Sequence, residues 1–277
     1  MEYSGLMDRS VSTNLPAAPL AAVLFDAYGT LFDVYSVGLL AEQLYPGHGE
    51  KLAVAWRDKQ IDYSRLCSMS GQYTPFWELT RCALRYSAQR LALDLSRAHE
   101  DRLMNQYRHL SLFPENRDVL SELKSRGIPT GILSNGDPEM LNVAVKSSGL
   151  DGLIDLVLSV HATRRYKTDP AAYALGTAAL RLPARQVLFV SSNGWDAIGA
   201  TWFGYTTLWV NRHRLPPEQL ATQPTHVGQS LRDVLPLFEN HPKRELHELI
   251  PPPASRRAAD QRADPAGIRD GSDPAGT

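Results

Sequence analysis

Asp26 ends a short apolar run, Ala21-Ala22-Val23-Leu24-Phe25, and opens the segment Asp26-Ala27-Tyr28-Gly29-Thr30-Leu31. An unbroken apolar run of this length is the pattern of a strand buried on both faces, so the carboxylate falls at the carboxyl end of a sheet. Gly29 permits a tight loop there, with backbone N–H groups nearby. An aspartate so placed can act as a nucleophile, forming a covalent ester and dividing one hard hydrolysis into two easier steps. The same residue type also serves as a helix cap or turn former. Ser134-Asn135-Gly136 follows a second apolar run at 129–133 and offers a hydroxyl and an amide, or simply a turn. Ser191-Ser192-Asn193-Gly194-Trp195-Asp196 follows a third, at 187–190; a polar loop explains most of it, but Trp195 is an expensive residue for a simple turn. Lys167, just before Asp169-Pro170, is either a solvated surface lysine or a partner that holds Asp26 ionised and screens charge developing in a transition state. Four polar clusters at the ends of one parallel sheet would converge on one crevice.

The elements that must position them can be read from the same pattern. Strands are expected at 21–25, 129–133, 156–159, 187–190 and 206–210. Val119, Leu120 and Leu123 share a helix face ahead of a Gly127 stop, and Asp137-Pro138 and Asp169-Pro170 read as helix caps followed by first turns. Alternating strands and helices predict an α/β fold with a Rossmann-like parallel sheet core and helices on both faces. One stretch, 34–112, breaks the rhythm with helical patterns alone: Ser36 as a cap, a stop at Pro46-Gly47, helical spacing through Leu52, Trp56, Tyr63 and Cys67, and a new start at Thr74-Pro75. An all-helical cap inserted after the first strand follows, over the sheet edge where open α/β folds place their ligands. The expected division is a core of 19–33 and 113–240, a cap of 34–112, and tails at 1–18 and 241–277. The last tail is expected to be disordered from about 251, where arginines and aspartates balance and Ile268 is the only large aliphatic residue.

Composition narrows the class. The 277 residues are 43% hydrophobic, and 29 basic against 30 acidic residues leave a net charge of -1. No bulk attraction to nucleic acid or to acidic lipid follows from that balance. Two cysteines are too few for a disulfide framework. No apolar run approaches the roughly 20 residues that span a bilayer, and Glu2 and Asp8 spoil a basic leader. A cytoplasmic protein is expected.

The motifs resemble those of the haloacid dehalogenase superfamily. Within it, Phe-Asp-Ala-Tyr-Gly-Thr-Leu at 25–31, Leu-Ser-Asn-Gly at 133–136 and Ser-Ser-Asn-Gly-Trp-Asp at 191–196 are similar to the L-2-haloacid dehalogenase family. The resemblance runs from about Ala21 to Phe238. Superfamily phosphatases carry Asp-x-Asp at the first motif and extra acids at the last, for Mg²⁺ and for protonating a leaving alkoxide. Here Tyr28 replaces the second Asp, and Asn193 stands where a first carboxylate of the last motif would be. A hard cation loses ligands by these changes, whereas halide leaves as a stable anion without a proton. The resemblance therefore implies an (S)-2-haloacid dehalogenase without metal or other cofactor, converting L-2-haloalkanoates to D-2-hydroxyalkanoates and halide. Its partners would be a small 2-haloalkanoate and water, and it would form a homodimer. A Mg²⁺-dependent phosphatase of the same superfamily and a catalytically silent binding protein on this fold are the alternatives.

The resemblance also implies roles. Asp26 attacks C2; Thr30 positions it and Lys167 pairs with it. Asp196, supported by Asn193 and Ser191, activates water. Ser134 holds the substrate carboxylate, while Arg57 from the cap and Asn135 receive the halide. Ile61, one helical turn after Arg57, enters with it. Tyr28, Phe76 and Trp195 form apolar walls. Tyr173 either bonds within the lysine–carboxylate network or packs in the core. Three positions depart from the family: Asp58 beside Arg57, where an inward carboxylate would weaken anion binding, Thr168 after the lysine in place of Pro, and Gly194 in place of Ala.

Overall fold

The computed structural model describes residues 19–239; the tails expected at 1–18 and from 241 lie outside the described residues. Six parallel strands form one sheet: β1 (Ala22–Phe25), β2 (Thr130–Ser134), β3 (Leu156–Ser159), β4 (Val187–Ser191), β5 (Thr206–Val210) and β6 (His226–Gly228), in the order β3-β2-β1-β4-β5-β6. The opening strand is central. Phe25 pairs with Ile132 on one side and Val190 on the other, so the residues after Phe25, Ile132 and Val190 emerge together at one edge.

Both faces of the sheet are covered, which is why the central strands read as unbroken apolar runs. Val23 and Phe25 enter one buried cluster, while Ala22 and Leu24 enter the other. Leu188 and Val190 divide from Val187 and Phe189 in the same way. The sixth strand was not legible: its three residues, His226, Val227 and Gly228, lie at the sheet's edge and Val227 is exposed, leaving no apolar pattern to read.

Between β1 and β2 the chain is helical: α1 (Val37–Leu44), α2 (Gly49–Ser70), α3 (Phe76–Arg90), α4 (Arg97–Arg108) and α5 (Asn116–Ser125). The fold is thus an α/β sheet with a helical cap inserted after the first strand. Leu52 and Trp56 are buried in the cap's interior, and Trp56 Nε1 donates to the Thr80 carbonyl at 2.7 Å, joining α2 to α3. Ser36 stands at the N-cap of α1 as expected, but its side chain makes no capping bond to that helix. Its hydroxyl donates to the Asp33 carbonyl, and Asp33 itself accepts from the Tyr35 N–H. Returning to the sheet, α5 packs against 231–238 and Gly127 terminates it at φ +70°. The remaining crossovers are α6 (Pro138–Ser147), α7 (Pro170–Leu180) and α8 (Gly194–Phe203). Among the described residues no helix is long and apolar enough to cross a membrane.

Candidate active site

Asp26, one residue beyond β1, is almost fully buried, and its backbone N–H donates to the Val190 carbonyl at 2.9 Å. Both carboxylate oxygens are engaged. Oδ1 accepts from Lys167 Nζ at 3.0 Å, and Oδ2 accepts from Thr30 Oγ1 at 3.1 Å and Asn193 Nδ2 at 2.9 Å. Lys167 Nζ bonds a second carboxylate, Asp196 Oδ2, also at 3.0 Å. One ammonium therefore stands between two acids, all three out of water. Burial works against the lysine's charge, but Asp196 and Asp26 together hold its pKa above the usual range. Burial also pushes the Asp196 carboxyl up to about 6; Lys167 opposes that rise and Asp26 adds to it. Tyr173 joins this network, its hydroxyl donating to Asp196 Oδ1 at 2.8 Å. Gly199 makes the approach possible, since a Cβ there would lie 2.6 Å from the Tyr173 hydroxyl.

The loop after β4 is partly a helix start. Asn193 stands at the N-cap of α8, so Trp195 and Asp196 belong to the first turn, not to an open loop. That location explains a tryptophan at this position and puts the carboxylate of Asp196 at the positive end of a helix. The amide of Asn193 is turned to Asp26 and to the Tyr28 carbonyl, and the Ser191 hydroxyl accepts the Asn193 N–H at 3.1 Å. Neither side chain bonds Asp196, so the expectation that they support it is corrected: Lys167 and Tyr173 do. Thr30 is held from behind. The Ser192 N–H donates to its Oγ1 at 2.8 Å, leaving the hydroxyl proton for Asp26, and Arg212 and Asn116 donate to its carbonyl.

The cap closes the other side. Arg57, on α2, is buried, and its three hydrogen bonds go to neutral oxygens: Gln60 Oε1 at 2.8 Å, the Tyr28 carbonyl at 2.9 Å and Asn193 Oδ1 at 3.3 Å. A guanidinium held this way keeps its full charge for an anion in the crevice. That crevice is narrow, with room of about 10 Å³, and is lined by Asp26, Tyr28, Arg57, Ile61, Phe76, Ser134, Asn135 and Trp195, with Ser64 and Asn193. Ile61 and Trp195 also line a wider neighbouring cavity of about 680 Å³. Asp58 is exposed and faces that cavity, so the acid beside Arg57 does not enter the crevice. Asn135 accepts the Lys167 backbone N–H through Oδ1 at 2.9 Å, leaving its NH₂ available, and Ser134 Oγ accepts the Gly136 N–H at 3.1 Å, leaving its proton available.

All fourteen singled-out residues lie in or directly against this crevice: nine line it, and the other five, Thr30, Lys167, Ser191, Asp196 and Tyr173, stand behind it. Sequence reasoning missed Gln60, whose Oε1 accepts from Arg57 Nη1 and from the Tyr107 hydroxyl at 3.0 Å and whose Nε2 donates to Thr80 Oγ1 at 2.6 Å. Its spacing of three from Arg57 was the available signal. Ser64, one face-repeat further along α2, was missed as well.

The chain is similar to known proteins over most of its length. A family model for haloacid dehalogenase-like hydrolases matches residues 20–204. An (S)-2-haloacid dehalogenase of Pseudomonas sp. (strain YL) is 41% identical over 220 residues, 79% of this chain and 95% of that protein. Haloacetate dehalogenase H-2 of Moraxella sp. (strain B) is 42% identical over 205 residues, 74% of this chain and 92% of its own. The structure of L-2-haloacid dehalogenase from Xanthobacter autotrophicus with chloropropionic acid covalently bound superposes with a TM-score of 0.75 at 36% identity, covering 80% of this chain and 100% of that one.

Proposed function

From the premise that this chain belongs to the L-2-haloacid dehalogenase family of haloacid dehalogenase-like hydrolases, we propose that it hydrolyses L-2-haloalkanoic acids through an ester on Asp26. The observation that carries the reading is a buried carboxylate, held by Lys167, Thr30 and Asn193, facing a buried guanidinium bonded only to neutral oxygens.

The hydrogen bonds suggest which oxygen attacks. A carboxylate offers about four lone-pair sites. Oδ2 accepts two bonds and Oδ1 only one, so Oδ1 keeps a lone pair for C2 of the substrate. Displacement from the face opposite the halogen inverts the centre, the C–X electrons leave as halide, and Arg57 with the Asn135 amide receives it. Ser134 donates to the substrate carboxylate; Tyr28, Ile61, Phe76 and Trp195 exclude water from the reacting carbon. Oδ2 then becomes the ester carbonyl oxygen. Water attacks Cγ, and the developing oxyanion on Oδ2 meets Thr30 and Asn193, already at 3.1 and 2.9 Å. This gives Asn193 a different task from the one its sequence position suggested. Asp196 takes the proton of that water, with Lys167 and Tyr173 holding it in place. Collapse breaks the Cγ–Oδ1 bond, the leaving alkoxide takes the proton held by Asp196 to give the D-2-hydroxyalkanoate, and Asp26 returns to a carboxylate as the water's second proton is lost to solvent.

The same geometry argues for hydrolysis without a metal ion. A divalent cation placed between Asp26 and Asp196 would meet the Lys167 ammonium already 3.0 Å from both. The test is halide release from the separate enantiomers of 2-chloropropionate, with and without chelator. The (S) enantiomer should yield chloride and (R)-2-hydroxypropionate at the same rate in EDTA. Chelator-sensitive phosphate release, with no halide release from either enantiomer, would overturn the assignment. We further place the protein in the cytoplasm as a homodimer, on the family resemblance and on two free cysteines, with sedimentation of the full chain as the check.

A further inference from the structure

Asp137 and Asp169 each precede a proline at the start of a helix, yet they behave differently. Asp169 caps its own helix, accepting the Ala171 N–H at 2.9 Å. The Asp137 side chain makes no bond to α6 at all. It crosses to the cap, where Oδ1 accepts the Phe76 N–H at 3.0 Å and Oδ2 the Trp77 N–H at 2.7 Å. Those are the first two residues of α3, whose own N-cap, Pro75, supplies no side-chain bond. A buried carboxylate of the core thus satisfies two orphan donors and meets the positive end of a cap helix.

The contact sits where it can matter to the chemistry. Phe76 lines the crevice, and so do Ser134, the last residue of β2, and Asn135, which precede Asp137 by three and two residues. Asn135 in turn holds the backbone of Lys167. Around Asp137 the cap segment 68–77 and the core are stitched further: Ser68 Oγ accepts the Tyr166 N–H at 2.8 Å, the Tyr166 hydroxyl donates to the Thr74 carbonyl, and the Tyr73 hydroxyl bonds His161 Nδ1 at 2.9 Å. Asp137 is the member of this seam that grips the helix carrying Phe76.

We infer that Asp137 is a positioning residue, capping α3 from across the crevice and so fixing the Phe76 wall relative to Asn135 and Lys167. The inference rests on the proposed dehalogenase reading for its kinetic consequence, but not for the capping itself. With the carboxylate removed, the first turn of α3 frays and the Phe76 ring loses its fixed distance from the opposite wall. Substrate fit and the choice between enantiomers then suffer, while Asp26, Lys167 and Asp196 keep their contacts. The effect should be graded, because Asn retains one acceptor oxygen where Ala retains none.

The experiment compares wild type, Asp137→Asn and Asp137→Ala in the full chain, reading KM and kcat for both enantiomers of 2-chloropropionate together with amide hydrogen exchange across 74–80. The expected result is faster exchange at Phe76 and Trp77, a KM for the (S) enantiomer raised about tenfold in the Ala variant and less in Asn, kcat within about threefold, and a reduced enantiomer preference. A residue with only a structural role would lower the melting temperature and the active fraction without moving KM or the preference. Wild-type KM and preference in both variants, or unchanged exchange at 76–77, would overturn the inference. If the Ala variant fails to fold, the Asn variant decides alone. If wild type releases no halide from either enantiomer, the functional reading fails and exchange still judges the cap.

Discussion

Replacing Asp196 by Asn separates the two halves of the proposed reaction. In the native protein Asp196 Oδ1 accepts from Tyr173 at 2.8 Å and Oδ2 from Lys167 at 3.0 Å. An asparagine can present its oxygen to Lys167 and its NH₂ to the Tyr173 hydroxyl oxygen, so the network stays satisfied and the fold should survive. Asp26 keeps all three of its donors, and displacement of halide should proceed within a few-fold of the native rate. What disappears is the base for the second step. Losing a positioned general base costs about 10²–10⁴-fold, or roughly 3–5 kcal/mol of barrier. Rapid-quench halide assays should therefore show a burst of about one halide per site followed by a slow steady state, and intact-mass measurement should find the substrate's carboxyalkyl group on the protein. A variant that turns over at the native rate, or one whose first halide is slowed as much as its steady state, would refute the division of labour.

Three further outcomes follow from the same contacts. Asp196 must be ionised to act and its carboxyl is pushed up to about 6, so kcat should fall on the acid side with that midpoint, to about a tenth at pH 5, in a profile that Asp196→Asn loses. Lys167→Met leaves two buried carboxylates without their cation and should cost about 3–5 kcal/mol in urea unfolding at pH 7. The sign of its pH dependence is fixed by Asp196: an acid whose folded pKa is raised above its unfolded one is most stabilising when protonated, so the deficit should shrink toward pH 5. Arg57→Lys substitutes a point charge for a fork that reaches Gln60, Tyr28 and Asn193 together, and product inhibition by bromide should weaken about tenfold.

The sheet was legible because its central strands are buried on both faces, which forces continuous apolar runs ending in polar residues. Ala22 to Phe25 and Val187 to Val190 divide strictly between two cores, and that alternation is hidden in sequence precisely because both faces are dry, yet the run itself is unmistakable. Edge strand β6 has no such constraint and left no trace. Within the site, the strand-end residues Asp26, Ser134 and Ser191 followed from strand position, and the cap residues Arg57 and Phe76 only from family resemblance. Directions of side chains were not legible. Asn193 turns to Asp26 because the cap arginine takes its oxygen at 3.3 Å, and Asp137 ignores its own helix because a distant one offers two better-placed donors. Both outcomes depend on partners more than 50 residues away in the chain.

The central claim is a covalent bond from Asp26 to carbon, broken by attack of water at Cγ. Its most direct measurement is turnover in water enriched in heavy oxygen, followed by peptide mass spectrometry across Asp26 and of the product. The account predicts heavy oxygen in the Asp26 carboxylate, and a first-turnover product whose hydroxyl carries the protein's original light oxygen. Heavy oxygen in the first-turnover product, with none in Asp26, would contradict it.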